Sequence, residues 1–383
     1  MRALAKTISA EANGAPCTTM ENTWLDHDVT ISCYEDIVPA FVEQELNRLY
    51  QNLHSSLMHY AVRKKAHRAS TYIAHRNGQP ISILLFNRKK QSICVINEMI
   101  DIPNEELQRF ASYIFFRYKS VARISFSLIG KEIGRLPFPC QRHDGSEDIV
   151  LVLPSTPQAY LESLSPKTRR NIRRYLRAIA HDKPTFRCES AVGKQINEQD
   201  LHDLIHLKKM NIGAKNLKFG LDEEELQWIV HQAKLTGMVT VITIDGKVCG
   251  GSINLRIGNH FFGQIIAYDP AYQKYSLGFL STYLTICDQI LLGGKESHLC
   301  WGRYAYKYKL AGIQRDRGSL DIYRSHGAYC CHAGAVLAKA IKTCVQDGKR
   351  RLLDMEHEEG KTAQAGAMLV RVLRKIKRSR VMA

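Results

Sequence analysis

Between residues 239 and 312 the chain carries an ordered series of structural signals that few folds can accommodate. The apolar, β-branched run Val239-Thr240-Val241-Ile242-Thr243-Ile244 ends at Asp245-Gly246, and a second apolar run over 251–257 ends at Gly258-Asn259. Asp-Gly tolerates the positive φ of a tight hairpin turn, so the two runs predict a β-hairpin, and a third strand follows over 260–268. After Asp269-Pro270, the sequence Gln273-Lys274-Tyr275-Ser276-Leu277-Gly278 opens an amphipathic helix over 279–292 that Gly293-Gly294 stops. A short strand over 297–301 precedes Gly302. Consecutive strands, a crossing helix and a returning strand predict an α/β fold built on a mixed sheet.

The turn into that helix has chemistry of its own. A helix N-terminus leaves backbone N–H groups unpaired and carries partial positive charge, so it attracts phosphate oxygens. Small residues at Ser276 and Gly278 let such oxygens approach the backbone, and Lys274 adds a neutralising charge. The plain structural alternative is a strand-to-helix turn with Ser276 as N-cap.

Upstream, Ser165-Pro166 suits an N-cap and first helical position. The following helix sets Arg169, Arg173 and Arg177 on one face, with Ile172, Leu176 and Ile179 on the apolar side. Further helices are predicted over 197–210 and 221–236, the latter with Glu223, Glu224 and Glu225 in its first turn, where the helix dipole favours acids. Earlier in the chain, Ile37, Phe41, Leu46, Leu49, Tyr50 and Leu53 recur near the helical period. A hairpin over 71–86 turns at Asn77-Gly78, then come a strand over 92–96, a helix over 105–118 and a strand over 121–128. Beyond Gly312, helices are expected over 332–345 and 363–377, the second amphipathic and basic. The expected division is a loose leader over 1–27, a first half over 28–154, a second half over 155–315 and a basic helical extension over 316–383.

The segment from Tyr160 to Gly312 resembles the second half of a GNAT acyltransferase, in the BioF2-like and CelD-like branch related to FemAB proteins. The family's pyrophosphate loop, Gln/Arg-x-x-Gly-x-Gly/Ala, is matched by Gln273-x-x-Ser276-x-Gly278, with Ser in place of the middle Gly. Its Tyr/Phe-Asp-Pro lead-in is matched by Tyr268-Asp269-Pro270. A later Gly-Arg…Tyr-Lys element is matched by Gly302-Arg303 with Tyr306-Lys307 or Tyr308-Lys309, and the family's Arg-rich helix by Arg169-x-x-Ile172-Arg173-Arg174. The branch carries an Asp two positions before the strand-end Gly, where this chain has Cys300. The resemblance implies tandem GNAT-like halves, the first without a cofactor loop. It also implies an enzyme that takes acetyl-CoA or another acyl-CoA as co-substrate, holding it at Gln273, Lys274, Ser276 and Gly278.

Acyl transfer needs a base for the nucleophile, donors for the tetrahedral oxyanion and an acid for the departing thiolate. In the resemblance the thioester lies beside the third strand, where period-two counting puts His260, Gln264 and Tyr268 on one face. His260 is the candidate base. Tyr306 or Tyr308 is the candidate acid, and the alternation Tyr304, Tyr306, Tyr308 reads as one extended surface or as stacking in a core. Gln264, Tyr268, Asp269, Arg303 and Lys309 (with Lys307 as the alternative to Lys309) are candidates for holding substrate. Cys300 as a covalent nucleophile has no paired histidine in the sequence.

Composition narrows the partners. The formal net charge is +17, concentrated in the helix after Pro166 and in Arg371, Arg374, Lys375, Lys377, Arg378 and Arg380. Such patches attract anionic substrates, nucleic acid or anionic lipid. No stretch approaches the ~20 apolar residues that cross a bilayer, and no secretory signal is evident. The 11 cysteines form no Cys-x-x-Cys pair, so no metal is expected, and reduced thiols point to the cytoplasm. The expected function is acyl transfer to the amine or hydroxyl of a sugar, amino sugar or envelope-polysaccharide precursor. The alternatives are a FemAB-like aminoacyltransferase using aminoacyl-tRNA, or a non-enzymatic binder of nucleic acid or anionic membrane. Peripheral contact with an inner-membrane surface through the basic 363–377 helix is a further expectation, and nucleic acid ranks behind the glycan-precursor acceptor.

Overall fold

The computed structural model describes residues 24–26, 28–62, 66, 68–213, 219–334 and 337. The first half runs β1 (Trp24–Asp26), β2 (Val29–Tyr34), α1 (Val42–Tyr50), α2 (Leu57–Val62), β3 (Ser70–Arg76), β4 (Gln79–Lys89), β5 (Ser92–Val95), α3 (Asn104–Arg117), β6 (Arg123–Gly130) and β7 (Cys140–Val152). The second runs α4 (Pro157–Ser163), α5 (Pro166–Asp182), β8 (Arg187–Val192), α6 (Glu198–Gly213), α7 (Glu223–Thr236), β9 (Met238–Ile244), β10 (Lys247–Ile257) and β11 (His260–Tyr268). It ends with α8 (Leu277–Leu291), β12 (Glu296–His298), α9 (Ala305–Lys309), β13 (Ile313–Tyr323) and α10 (His326–Cys331).

Local chemistry explains most of these boundaries. Asn77-Gly78 and Asp245-Gly246 all take positive φ (52° and 74°, 52° and 72°), the geometry that keeps a two-residue turn in step with strand twist. Ser165 accepts a hydrogen bond from the Thr168 amide to cap α5, and Asp222 with Glu225 closes a capping box on α7. In each half a helix carries the chain across to a parallel strand, α3 from β5 to β6 and α8 from β11 to β12.

Among the described residues, all the strands join one 13-stranded mixed sheet in the order β1-β2-β3-β4-β5-β6-β13-β7-β12-β11-β10-β9-β8. The halves exchange their last strands: β7 pairs with β12, and β13 lies between β7 and β6. The boundary expected at 315 therefore falls inside β13, and the extension expected from 316 opens as sheet. The residues 314–317, Gln-Arg-Asp-Arg, carry three charges into that strand. In the fold Arg315 grips Glu296 of β12 with two bonds of 2.8 and 2.7 Å, and Asp321 accepts from Ser125 of β6 at 2.5 Å. Of the expected leader, Trp24–Asp26 pairs with β2. Residues 1–23, the 363–377 helix with its basic cluster, and most of 332–345 lie outside the described residues.

The parallel pairs of the two halves end differently. In the first, the β5–β6 pairing continues through an Ile100–Ile129 bridge and the bonds Met99 N–H to Leu128 O (2.6 Å) and Gly130 N–H to Ile100 O (3.0 Å). That pair stays closed. In the second, β11 and β12 pair only from His260–Glu296 to Phe262–His298, after which they diverge. One apolar cluster, including Leu204, Ile229, Ile253 and Phe262, covers the α6–α7 side of this region; another, including Ile172, Leu277, Leu280 and Ile286, covers the α8 side.

Candidate functional site

A β-bulge sits where the strands part. Leu255 pairs with Phe262, Asn254 with Gly263 and Ile253 with Ile265, so Gln264 is an extra residue with no partner on β10. The extra residue resets the alternation. His260 and Phe262 lie on the α6–α7 side with Ile265 and Ala267, whereas Ile266 and Tyr268 lie on the α8 side. The expectation that His260, Gln264 and Tyr268 share one face is thus corrected: simple period-two counting cannot see a bulge.

The divergence opens a cavity of about 280 Å³. Ser252 and Asn254 of β10, Gly263, Gln264 and Ile266 of β11, and Thr282, Thr285 and Gln289 of α8 line it. Its opposite wall is Ser297, Leu299, Cys300 and Trp301, with Tyr304, Tyr306 and Lys307 beyond, and Lys208 of α6 reaches it from the other face. Trp301 is 47 % exposed at the rim, and the His54 ring of the first half lies 5.1 Å from its ring.

Lys307 organises that wall. Its side chain is buried, and Nζ donates to the carbonyls of Leu299 (2.7 Å), Cys300 (2.9 Å) and Trp301 (2.6 Å). Burial pushes its pKa down to about 8, while three carbonyl oxygens favour the ammonium form. The chain can present these carbonyls together because Cys300 and Gly302 take positive φ (56° and 93°). Burial raises the Cys300 thiol pKa, which keeps it neutral, and its Sγ points to Gly263 O across the opening at 3.5 Å. That geometry is unsuited to a thiolate nucleophile.

The tyrosines do not form one extended surface, because Ala305–Lys309 is helical with Tyr304 at its N-cap. Tyr306 lines the cavity, and burial raises its pKa to about 12. Tyr308 turns away and donates to Gln314 Oε1 at 2.9 Å. Of the two Tyr-Lys matches, the structure brings Tyr306-Lys307 to the cavity.

Behind β12, on the side away from α8, lies a buried charge network. His298 Nδ1 is 2.7 Å from Asp148 Oδ2, its Nε2 is 3.3 Å from Glu296 Oε2, and Arg315 clasps both Glu296 oxygens. His260 Nδ1 stands 3.8 Å from Glu296, and burial lowers its pKa. His260 belongs to this network and is not among the cavity-lining residues. His260, Glu296 and His298 bring ligand-type atoms within 4.8 Å of one another. Arg315 holds both Glu296 carboxylate oxygens, so a guanidinium already supplies the positive charge that a cation would bring to this cluster.

The loop residues stand at the wide end of the opening. Pro270–Tyr275 forms a 3₁₀ turn in which Asp269 Oδ1 accepts from the Ala271 amide at 2.8 Å, and Ser276 follows at φ 51°. The Ser276 carbonyl takes the amides of Phe279 and Leu280, which leaves those of Leu277 and Gly278 facing forward from the helix end. Ser276 therefore does not cap α8 with its side chain; it is linked to the Tyr175 hydroxyl of α5. Lys274 pairs with Asp182 at 2.8 Å, so much of its charge is answered within the protein, and Gln273 is exposed with its carbonyl accepting from Ser276. At Gly278 a Cβ would stand 2.6 Å from the Tyr268 ring: the glycine admits that ring. On α5, Arg170, Arg173, Arg174 and Arg177 are exposed along one face beside this loop. Arg303 stands 3.7 Å from Glu147, and Lys309 is exposed.

Sequence reasoning missed Ser252, Asn254, Gln289 and Ser297. The first two had a signal: they alternate within the apolar run of β10, which puts two polar side chains on one face of a strand that should be greasy.

An open parallel pair beside a helix N-terminus, a bulged neighbouring strand and a tyrosine in the lining define an acyltransferase of GNAT architecture. Residues 166–308 match the family model of an acetyltransferase (GNAT) domain, and the chain carries that domain as its second half. The structure of FemX superposes at a TM-score of 0.57 with 10% identity, covering 77% of this chain and 98% of FemX. A conserved protein of unknown function from Bacteroides thetaiotaomicron VPI-5482 superposes at 0.50 with 10% identity, covering 76% and 99%. At these identities the likeness is one of fold, and it extends across both halves. No curated protein matches the chain in sequence.

Proposed function

We propose that the protein transfers an acyl group from acyl-CoA to an amine or hydroxyl of a sugar, amino sugar or envelope-polysaccharide precursor. The observation that carries this reading is the asymmetry of the two parallel pairs: only β11–β12 opens into a cavity, and it does so beside the free N-terminus of α8. Phosphates of the donor would meet the Leu277 and Gly278 amides, and its thioester arm would run along the opening towards Gln264. Tyr306, protonated at neutral pH, supplies the proton that the departing thiolate takes up. All three Lys307 protons are engaged by carbonyls, so Lys307 acts on the developing oxyanion through its charge and by holding the wall. Among the described residues no carboxylate or imidazole lines the cavity, so the acceptor enters neutral or gives its proton to water. The exposed Trp301 and Tyr304 rings at the rim offer an apolar face to a sugar ring.

The exposed arginine face of α5 favours a second reading, an aminoacyl-tRNA donor whose phosphates would lie along that face. No described helix is long and apolar enough to cross a membrane, and contact with a bilayer surface rests on the sequence of the basic C-terminal segment alone. Isothermal titration with acetyl-CoA and longer acyl-CoAs, on the wild type and Gly278→Glu, separates the donor readings. Saturable binding that the variant loses supports the CoA donor. No heat at millimolar ligand sinks it and turns the search to RNA.

A further inference from the structure

Resting on the acyl-CoA reading, we infer that α5 and α9 form a second phosphate station beside the α8 N-terminus, where Arg174 and Lys309 receive the ribose 3′-phosphate of the donor. CoA carries three phosphates, two in its pyrophosphate and one as a monoester on the ribose. The Leu277 and Gly278 amides can meet the pyrophosphate, which leaves the monoester, with a charge of about −1.5 to −2 at neutral pH, to be held elsewhere. One flank of α5 is fastened to the loop that precedes those amides. Asp182 accepts from Lys274 and from the Tyr275 hydroxyl, each at 2.8 Å, and the Tyr175 hydroxyl is linked to Ser276. On its inner side, Ile172 and Ile179 pack in the cluster that holds Leu277 and Leu280. The Arg174 guanidinium stands 5.0 Å from the centre of the Tyr175 ring, which makes it the arginine of α5 placed at the loop. Lys309, exposed at the end of α9, acts on the same phenol. The bond to Ser276 first, then Arg174 and Lys309, hold the Tyr175 hydroxyl below its ordinary pKa. Two cations from two elements thus flank the residue bonded to Ser276, one position before the free amides.

The protein does not neutralise these charges itself. Among the described residues no carboxylate pairs with Arg174 or Lys309, nor with Arg170, Arg173 or Arg177 on the same helix. Arg169 is instead tied down, donating to the Glu162 and Leu164 carbonyls at 2.6 and 3.1 Å. The pattern is unfavourable for a helix standing by itself. Arg169 with Arg173, Arg170 with Arg174, and Arg173 with Arg177 set like charges four residues apart, which destabilises a helix. The first turn carries Lys167 and Arg169 and no acid, against the helix dipole. A bound phosphate monoester removes part of that repulsion, and the planar guanidinium fork of Arg174 can bond two of its oxygens at once. The remaining arginines of the face add a field that draws an anionic donor towards the loop.

The test is equilibrium titration of the full chain with acetyl-CoA and with acetyl-3′-dephospho-CoA at low ionic strength. Wild type is expected to bind acetyl-CoA about 10-fold more tightly, equivalent to about 1.4 kcal/mol. The double variant Arg174→Gln, Lys309→Gln changes two exposed side chains and is expected to bring the two ligands within about twofold, with the affinity for the dephospho ligand unchanged. Equal wild-type affinities overturn the inference and leave the donor reading standing. A variant that weakens both ligands to the same extent also overturns it, because the cations would then act on the pyrophosphate or through their field. Equal affinities together with transfer-RNA binding that the variant loses overturn it in favour of the RNA donor. No binding of either ligand overturns the acyl-CoA reading and this inference with it.

Discussion

Replacing Asp148 by Asn probes the charge network behind the cavity wall. Asp148 and His298 meet at 2.7 Å with each side chain 4 % exposed, so little solvent screens them. Burial alone would push the His298 pKa down; its hydrogen bonds to Asp148 and Glu296 outweigh burial and raise it. Burial likewise pushes Asp148 up, and the His298 bond overrides that to hold it below the usual carboxylate range. Removing one partner of a buried pair costs 3–5 kcal/mol; because Asn keeps the volume and one acceptor, about 3 kcal/mol is expected. The pH dependence gives the diagnostic. A raised histidine pKa contributes stability that is full below about pH 6.5 and fades as pH rises through the folded-state value, while the depressed Asp pKa contributes above about pH 4. The penalty of Asp148→Asn should therefore be largest between about pH 5 and 6.5 and shrink towards pH 9. With a urea m-value of about 3 kcal/mol/M, the midpoint should fall by about 1 M at pH 5.5. Urea titrations at pH 5.5, 7 and 9 on both proteins decide it. The same midpoint shift at all three pH values, or no shift at pH 5.5, would refute the reasoning.

Three further perturbations address the site directly. Lys307→Met strands three carbonyls at the cavity wall and removes a charge, so kcat/KM should fall by at least about 100-fold in a steady-state assay; a fall of less than about fivefold would show that the wall holds without it. Tyr306→Phe removes the hydroxyl while keeping the ring, with an expected loss of about 100-fold in kcat. Because Tyr306 titrates near 12, the wild-type rate should show no alkaline decline from this group below about pH 11, and such a decline removed by Tyr306→Phe would contradict its raised pKa. Gly278→Ala drives a methyl into the Tyr268 ring and should weaken acyl-CoA binding by about 10-fold, measured by titration, whereas unchanged affinity would mean that the ring moves without disturbing the helix end.

The sequence made the second half legible because its signals are local. Asp245-Gly246 can hardly be anything but a tight turn, and the apolar period of 277–291 needs no tertiary information. What escaped depends on partners far along the chain. β13 is written in charges, and only Glu296 and the β6 edge make Arg315 and Asp321 acceptable inside a sheet. The face of His260 could not be read because the bulge opposite Asn254 is a property of two strands together. Lys307 stood beside Lys309 as an equal match, and one turn of helix was needed to bury one and expose the other. The network residues Asp148, Glu296 and His298 are ordinary polar residues until β7 and β12 lie side by side.

That network also explains how so short a strand as β12 can define a site. β12 pairs with its neighbours over Glu296, Ser297 and His298 on both sides, too few ladder bonds to fix its register unaided. A slip of one residue would turn Glu296 and His298 towards α8 and put Ser297 where Arg315 and Asp148 wait. The slipped arrangement would leave the buried Asp148 without its imidazole partner and the half-buried Arg315 without its carboxylate, a cost that disfavours the slip. The charges thus serve register more than stability. With β12 fixed, Leu299 and Cys300 stay bonded to Ile149 of β7 while they part from β11, and Lys307 can gather the carbonyls of Leu299, Cys300 and Trp301 on the opened side. The cavity stays open because β12 is short, and keeps its shape because β12 cannot slide.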